Sequence, residues 1–365
     1  MFGPSKIMKW FDRNLQVVRR SRRKTLAHIA AGAMKMKGVG VLALGRAMDG
    51  PALAKHRIKR VDRFLANEEL EGFAISKVLF NVLRGQDQHP IVLVDWTDRH
   101  DFEQLVLSIP RDGRSMPFHA ITINSTKFGT ETKGALIDAE QAILRHLHAM
   151  CPPGVKPIIV ADRGFGNERW IADIAKWGWH FVQRLSKNHY VETEHHIGTL
   201  PELGIRRGYL AKDWGWGTMG DNREDKKTRL RLISVFHRDA DEPWYLITNI
   251  DDREAHKITA IYEKRWYTET MFRDLKNRKW GLGMDEVRLT TVERTATHFI
   301  IVMIAYLLLC AFGAFAEAQN FGEQLKANTE KKRALSLAVI GFQFIEFIGR
   351  TTVSLAIAKL IKAPT

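Results

Sequence analysis

The chain has 365 residues, 45% hydrophobic and 27% charged, with 56 Lys and Arg against 41 Asp and Glu, a net charge of +15 and a pI near 9.8. That length suits two or three domains, and the apolar content excludes a collagenous or wholly disordered chain. Two cysteines, Cys151 and Cys310, exclude a disulfide framework or a Cys-rich zinc site, and both are expected to be reduced thiols in a cytoplasm.

The charge is unevenly placed. Residues 1–60 hold 15 basic and two acidic side chains, so +13 of the +15 lies there. A basic module ahead of a near-neutral body is an electrostatic footprint for nucleic acid. The competing reading is a solvated or membrane-surface segment. No apolar run of signal-peptide length follows the first charges, so no secretion signal is expected.

Residues 5–75 read as several short helices. A long stretch, LQVVRRSRRKTLAHIAAGAMKMKG, is helix-forming until Gly38 and Gly40 break it. VGVLALGRAM and HRIKRVDRFLANEEL follow, the latter with Ile58, Val61, Phe64 and Leu65 at helical spacing. Residues 72–85 form a linking helix. The pattern then changes to a three-strand meander over about 90–124, whose first strand, Ile91 to Val94, ends at Asp95. An amphipathic helix over 133–150, a buried strand ending at Asp162, a helix in NERWIADIAKWG and a strand in WHFVQRLS complete the order βββαβαβ. This predicts a mixed sheet with helices on its faces.

Residues 186–250 are polar and β-rich, with strands in RLRLISVFH and EPWYLITNI, and read as an insertion. One long helix is expected from Asp252 to about Lys279. Residues 290–365 are mainly helical. Within them Phe299 to Ala316 carries no charge. As a helix it would be about 27 Å long, near the ~30 Å of a bilayer core. A lone apolar span beside so polar a remainder reads better as a buried core helix.

Asp95 and Asp162 each end a strand, where side chains of an α/β sheet face the ligand crevice. An Asp after a strand is also an ordinary turn or N-cap residue. The helix after Asp252 adds Tyr262, Arg265, Glu269, Arg273 and Lys276, which at about 100° per residue fall within an arc of about 80°. One acid is thereby flanked by three cations and a phenol. An exposed face with i,i+4 ion pairs would look the same. Asp98, in an expected turn, and Asp274, about 140° round the helix from Glu269, are left out of the set.

The spacing Tyr262-(2)-Arg265-(3)-Glu269-(6)-Lys276 resembles the Tyr-Arg-Glu-Lys signature of the IS-four family of insertion-sequence transposases. VDWTD at Asp95 and ADRGF at Asp162 resemble that family's two catalytic aspartate segments, in the same order. The resemblance covers about residues 20–300. It implies an α/β fold: an RNase H-like mixed-sheet core over 76–300 with the β-rich insertion at about 186–250. A helical DNA-binding domain over 1–75 would precede the core, and a helical region over 301–365, the candidate for dimerisation, would follow it. Asp162 and Glu269 lie 107 positions apart, and the insertion accounts for that distance.

The resemblance further implies a DDE transposase that binds its element's terminal inverted repeats and performs metal-dependent strand cleavage and strand transfer. Asp95, Asp162 and Glu269 would hold two Mg²⁺ ions, with Mn²⁺ as a substitute. Hard cations take carboxylate oxygens, and a metal pair suits in-line displacement at phosphorus. Arg265, Arg273, Lys276 and Tyr262 would bind DNA phosphates. Trp244, 18 residues before Tyr262, would stack on a flipped base, with Trp214 and Trp216 as competitors. Arg19, Arg20, Arg22, Arg23 and Lys24 are the N-terminal DNA-binding candidates. The expected partners are double-stranded DNA, as transposon end and target, and a second copy of the chain in a synaptic complex, with no membrane. The expected place is the nucleoid of a bacterial cytoplasm. The alternative is a non-catalytic DNA-binding regulator that keeps the transposase fold.

Overall fold

The computed structural model describes residues 3–36, 38–125, 130–220, 228–279, 281–325, 327, 329, 335–345 and 352–362. In chain order its elements are α1 (Pro4–Asn14), α2 (Arg20–Met36), α3 (Val41–Ala47), α4 (Ala54–Leu65), α5 (Gly72–Arg84), β1 (Ile91–Arg99), β2 (Phe102–Arg111), β3 (Arg114–Asn124), α6 (Thr130–Met150), β4 (Ile158–Ala161), α7 (Glu168–Lys176) and β5 (His180–Arg184). There follow β6 (Tyr190–Thr193), β7 (His196–Thr199), β8 (Tyr209–Met219), β9 (Leu230–Phe236), β10 (Trp244–Thr248), α8 (Ala255–Glu263), α9 (Trp266–Lys276), α10 (Val292–Glu317), α11 (Leu337–Phe344) and α12 (Val353–Lys362). They form two compact units. The first holds Met1–Gly85, Trp96–Thr132 and Glu269–Thr365; the second holds Gln86–Asp95 and Lys133–Thr268.

The first unit is mainly helical. The stretch expected to be one helix from Leu15 is interrupted: α1 ends at Asn14 and α2 begins at Arg20. The turn between them keeps Leu15 and Val18 in the core, both fully buried, with the Val18 amide bonded to Leu15 O at 2.9 Å. The hairpin of β2 and β3 turns at Asp112-Gly113, where both residues have positive φ (45° and 73°), the requirement of a tight I′ turn.

The uncharged run Phe299 to Ala316 lies in α10, started by Thr291, whose hydroxyl accepts from Arg294 N at 3.3 Å. A helix apolar all round must be covered all round, and α10 packs on α2, α4, β3, α11 and α12. Its most apolar window is 89% buried, so this segment is the core of the first unit.

Buried polar groups tie α10 to the end of β1. Arg99, 2% exposed, donates from Nη2 to His298 Nδ1 at 3.0 Å, and His298 Nε2 reaches Val39 O at 2.8 Å. Nδ1 therefore accepts and Nε2 carries the proton, which makes His298 a neutral ring. Burial, and then the Arg99 charge, hold its pKa well below the ordinary 6.5. Burial also lowers Arg99, to about 10.

A depressed histidine pKa means the unfolded chain binds a proton that the folded chain refuses. Below pH 6.5 the His298 contribution therefore erodes stability by up to about 1.4 kcal/mol per pH unit as pH falls. The urea midpoint of His298→Gln, whose amide can serve both partners, should depend less on pH between 6.5 and 5 than that of the wild type. Parallel pH profiles would show that His298 is not the group responsible.

The second unit is built on a sheet in the order β1-β4-β5-β10-β9-β8-β6-β7. β1, β4 and β5 run parallel, and β10, β9, β8, β6 and β7 continue antiparallel. Two of its parallel strands, β1 over Ile91–Val94 and β4 over Ile158–Ala161, read as continuous apolar runs, as strands covered on both faces do. Leu93, Val160, Val182, Ile233, Leu246, Ile258 and Tyr262 belong to one buried cluster of this unit. The chain is thus a mixed α/β protein, and the β-rich character expected of 186–250 is present as β6 to β10.

Candidate active site

Strand register brings the positions of two aspartates level. β1 and β4 are level over Ile91–Ile158, Val92–Ile159, Leu93–Val160 and Val94–Ala161. The next residue on each chain is Asp95 and Asp162. Neighbouring strands lie about 4.8 Å apart and level residues share a face. Asp162 is still extended (φ −79°, ψ −177°), so both carboxylates leave from adjacent positions on one face. β1 does not end at Asp95, as the apolar run had suggested. It continues to Arg99, because Thr97 and Arg99 alternate inward and keep the pleat going.

Each aspartate is held by its own side-chain geometry. Asp162 caps the short 3-10 turn at Arg163–Phe165, its Oδ1 accepting from Gly164 N at 2.8 Å. Gln183 on β5 donates to Ala161 O at 3.2 Å and to Asp162 O, which fixes the end of β4. Asp95 Oδ2 accepts from Thr268 Oγ1 at 2.8 Å, and Arg265 Nη1 stands 3.8 Å from the same oxygen. Hard oxygen donors on adjacent strands suit a divalent cation, although no group of three or more potential metal ligands is found among the described residues.

The expected single helix from Asp252 to Lys279 is two, with a break at Lys264-Arg265. The amides of Arg265, Tyr267 and Thr268 bond three residues back rather than four, so one tight turn separates α8 from α9. The arc derived for these five residues assumed an uninterrupted helix, which the chain does not have here. Tyr262 ends up buried, Arg265 and Lys276 half-buried, Glu269 and Arg273 exposed. Tyr262 is 1% exposed, and burial, its largest influence, pushes its phenol up to about 12. Trp244, the first residue of β10, meets Tyr262 edge-on at 5.1 Å and His237 at 4.9 Å. The competing Trp214 donates to Ser234 Oγ at 2.8 Å with Lys212 over its ring at 3.8 Å, and Trp216 lies under Arg229 at 4.8 Å.

In the first unit, α9 carries Glu269, Arg273 and Lys276. Lys276 Nζ donates to Asp98 Oδ1 at 2.9 Å and holds that carboxyl below its ordinary range. Asp98 is therefore a strand residue with a partner, not a turn residue. Asp274, which does face away from Glu269, is 5% exposed and accepts from Arg114 Nε at 3.0 Å and from Tyr306 Oη at 3.2 Å. Burial keeps the Tyr306 phenol well above its ordinary value, so it remains a neutral donor. This anchor was missed in the sequence, where Arg114 and Asp274 lie 160 positions apart.

The N-terminal cations divide into two groups. Arg22 pairs with Glu69 and, at 2.8 Å, with Glu71; Arg23 pairs with Asp12 at 3.2 Å. Arg19, Arg20 and Lys24 are exposed. So are Lys55, Lys59 and Arg63 on α4, at i, i+4 and i+8, and among the described residues none of these three has an ion-pair partner. That spacing was available in the sequence as a signal. Arg60 joins α4 to α2 by donating to Thr25 Oγ1 at 2.8 Å.

No curated protein matched the chain. Residues 86–308 match the family model described as a transposase DDE domain, and that stretch holds Asp95, Asp162 and Glu269. Since the match spans more than half of the 365 residues, the chain belongs to the DDE transposase family, whose business is DNA transposition and recombination.

Proposed function

We propose that this protein is a cut-and-paste transposase of the IS-four type, which binds the terminal inverted repeats of its element and cleaves and transfers the DNA strands. The observation that carries this reading is the register of β1 and β4, which makes Asp95 and Asp162 the next residues after the level pair Val94 and Ala161. Glu269 is the third acid of the proposal, and in the chain it follows Thr268, the residue bonded to Asp95. Together the three would hold two Mg²⁺ ions, or Mn²⁺ in their place. When bound, such a pair supplies the positive charge and the activated oxygen that in-line displacement at phosphorus needs.

The remaining roles fall to the chain's own side chains. Thr268 holds Asp95 in place, and Arg265 offsets its charge while no metal is bound. Arg265, Arg273 and Lys276 would grip phosphates of the reacting strand, Lys276 exchanging Asp98 for a phosphate oxygen. Trp244 would stack on an extruded base. Tyr262, buried against the edge of Trp244, would offer its hydroxyl beside Arg184, to which it is hydrogen-bonded. Residues 1–75 would bind the element's end, 76–300 would catalyse, and 301–365 would join two copies in the synaptic complex. The proposed site of action is the bacterial nucleoid.

The test is cleavage of a labelled duplex carrying the DNA that flanks the gene. Cuts at a flanking inverted repeat that need Mg²⁺ or Mn²⁺ and stop with EDTA are expected. Binding without cuts in either metal would sink the proposal and favour the non-catalytic regulator.

Binding itself should follow the exposed cations. Neutralising Arg20, Lys24, Lys59 and Arg63 should lower the slope of log K against log salt by about 0.9 for each phosphate that is no longer neutralised. Neutralising Arg22 and Arg23 should instead loosen the module, because their partners Glu69, Glu71 and Asp12 are left behind. An unchanged slope in the first variant would move the DNA footprint to another surface.

A further inference from the structure

Next to Asp162 the second unit carries a cavity of about 440 Å³ lined by Arg163, Arg184, Ser186, Lys187, Asn188 and Tyr245, with Glu242 at its edge. One oxygen of Glu242 takes both arginines: Oε1 lies 3.0 Å from Arg163 Nη1 and 2.6 Å from Arg184 Nη2. Arg184 is otherwise tucked in, and its Nε is buried without a hydrogen-bond partner. Three cations, a serine, an amide and a phenol around one hollow make a donor set for a phosphate group. Burial, and then Glu242, raise the pKa of Tyr245, so its phenol stays a neutral donor.

Glu242 belongs to a short acidic loop, Asp239-Ala240-Asp241-Glu242, that leads directly into Trp244. A second hollow of about 530 Å³ is lined by Trp244, Trp266 and His237, by the carboxylates of Asp239, Asp241 and Glu263, and again by Arg184 and Glu242. Glu242 and Arg184 thus line both the cationic hollow and the one that holds Trp244. The Glu242 side chain is 52% exposed and that of Arg163 is 57% exposed. The Arg163–Glu242 pair, open to water on both sides, is weak and exchangeable, while Arg184, with 16% of its side chain exposed, keeps the carboxylate seated.

We propose that Arg163 and Arg184 form a binding site for a DNA backbone phosphate, and that the Glu242 carboxylate fills this site in the free protein until DNA displaces it. Because the loop is tied to Trp244 through Pro243, its release also frees the strand end that carries the tryptophan. The identity of the ligand as DNA rests on the transposase reading; the anion site and its internal occupant rest on the two ion pairs and the hollow around them.

The experiment compares affinities of full-length wild type, Glu242→Gln, Asp241→Asn and Arg184→Met for the labelled flanking duplex, in EDTA so that no cutting occurs. Glu242→Gln should bind several-fold tighter than wild type. Asp241→Asn removes the same charge from the same loop without touching the arginines, and should gain clearly less. Adding Arg184→Met to Glu242→Gln should cancel the gain. Equal gains in Glu242→Gln and Asp241→Asn, or no gain in Glu242→Gln, would overturn the proposal. Titration with tripolyphosphate separates the two readings. Tighter tripolyphosphate binding by Glu242→Gln with no duplex binding by any form would overturn DNA as the ligand, and the transposase reading with it. Normal cutting by wild type with no effect of Glu242→Gln on either probe would overturn the site alone.

Discussion

Asp95→Asn and Asp162→Asn should each lose metal-dependent DNA cleavage by about 10³-fold or more and keep their hold on the flanking duplex. That loss corresponds to roughly 4 kcal/mol of transition-state stabilisation, within what a metal pair supplies. The fold should survive both changes. An asparagine at 162 keeps the oxygen that accepts from Gly164 N, and one at 95 keeps the oxygen that accepts from Thr268. Binding should hold because the exposed cations of α2 and α4 are untouched. Single-turnover cleavage and a binding isotherm on the same preparations check this. Cleavage that persists in either variant, or binding lost together with it, would remove these aspartates from the chemistry.

Asp274→Ala is expected to cost about 3 kcal/mol of folding stability, read from the denaturant midpoint. Breaking a buried pair leaves its partner charged and uncompensated. Here Arg114, with 16% of its side chain exposed, would face the gap, and Tyr306 would lose its acceptor. Glu269 sits five residues earlier on α9, so a loosened α9 should also slow cleavage. The same variant with Arg114→Met should recover much of the stability, since no charge is then stranded. A small loss in the single variant, or no recovery in the double, would show that the pair contributes little.

Much of the fold could be read from local pattern. β1 and β4 begin as short apolar runs followed by Asp, and α10 holds the uncharged stretch Phe299 to Ala316 that only a core could cover. The break between α8 and α9 could not be read, because Lys264-Arg265 carries no Gly or Pro. A helical wheel across it therefore rested on one straight helix, and it gave no sign that Tyr262 is buried against the edge of Trp244. Asp98 was misjudged for a related reason: the apolar run stops at Val94 while the strand goes on, sustained by the inward Thr97 and Arg99. Arg22 and Arg23 looked like free cations because their partners, Glu69 and Glu71 for one and Asp12 for the other, lie on other elements. The level placement of Asp95 and Asp162 was equally hidden, since register is a property of two strands and neither sequence states it alone.

The measurement that bears most directly on the account is the metal dependence of Asp162→Cys cleavage on the flanking duplex. A thiolate is a poor ligand for Mg²⁺ and a better one for a softer divalent ion such as Mn²⁺. If Asp162 holds a metal, the variant should be inactive in Mg²⁺ and regain a clear part of wild-type cleavage in Mn²⁺. Equal residual rates in both metals would contradict the metal-ligand role, and wild-type rates in Mg²⁺ would remove Asp162 from the active site.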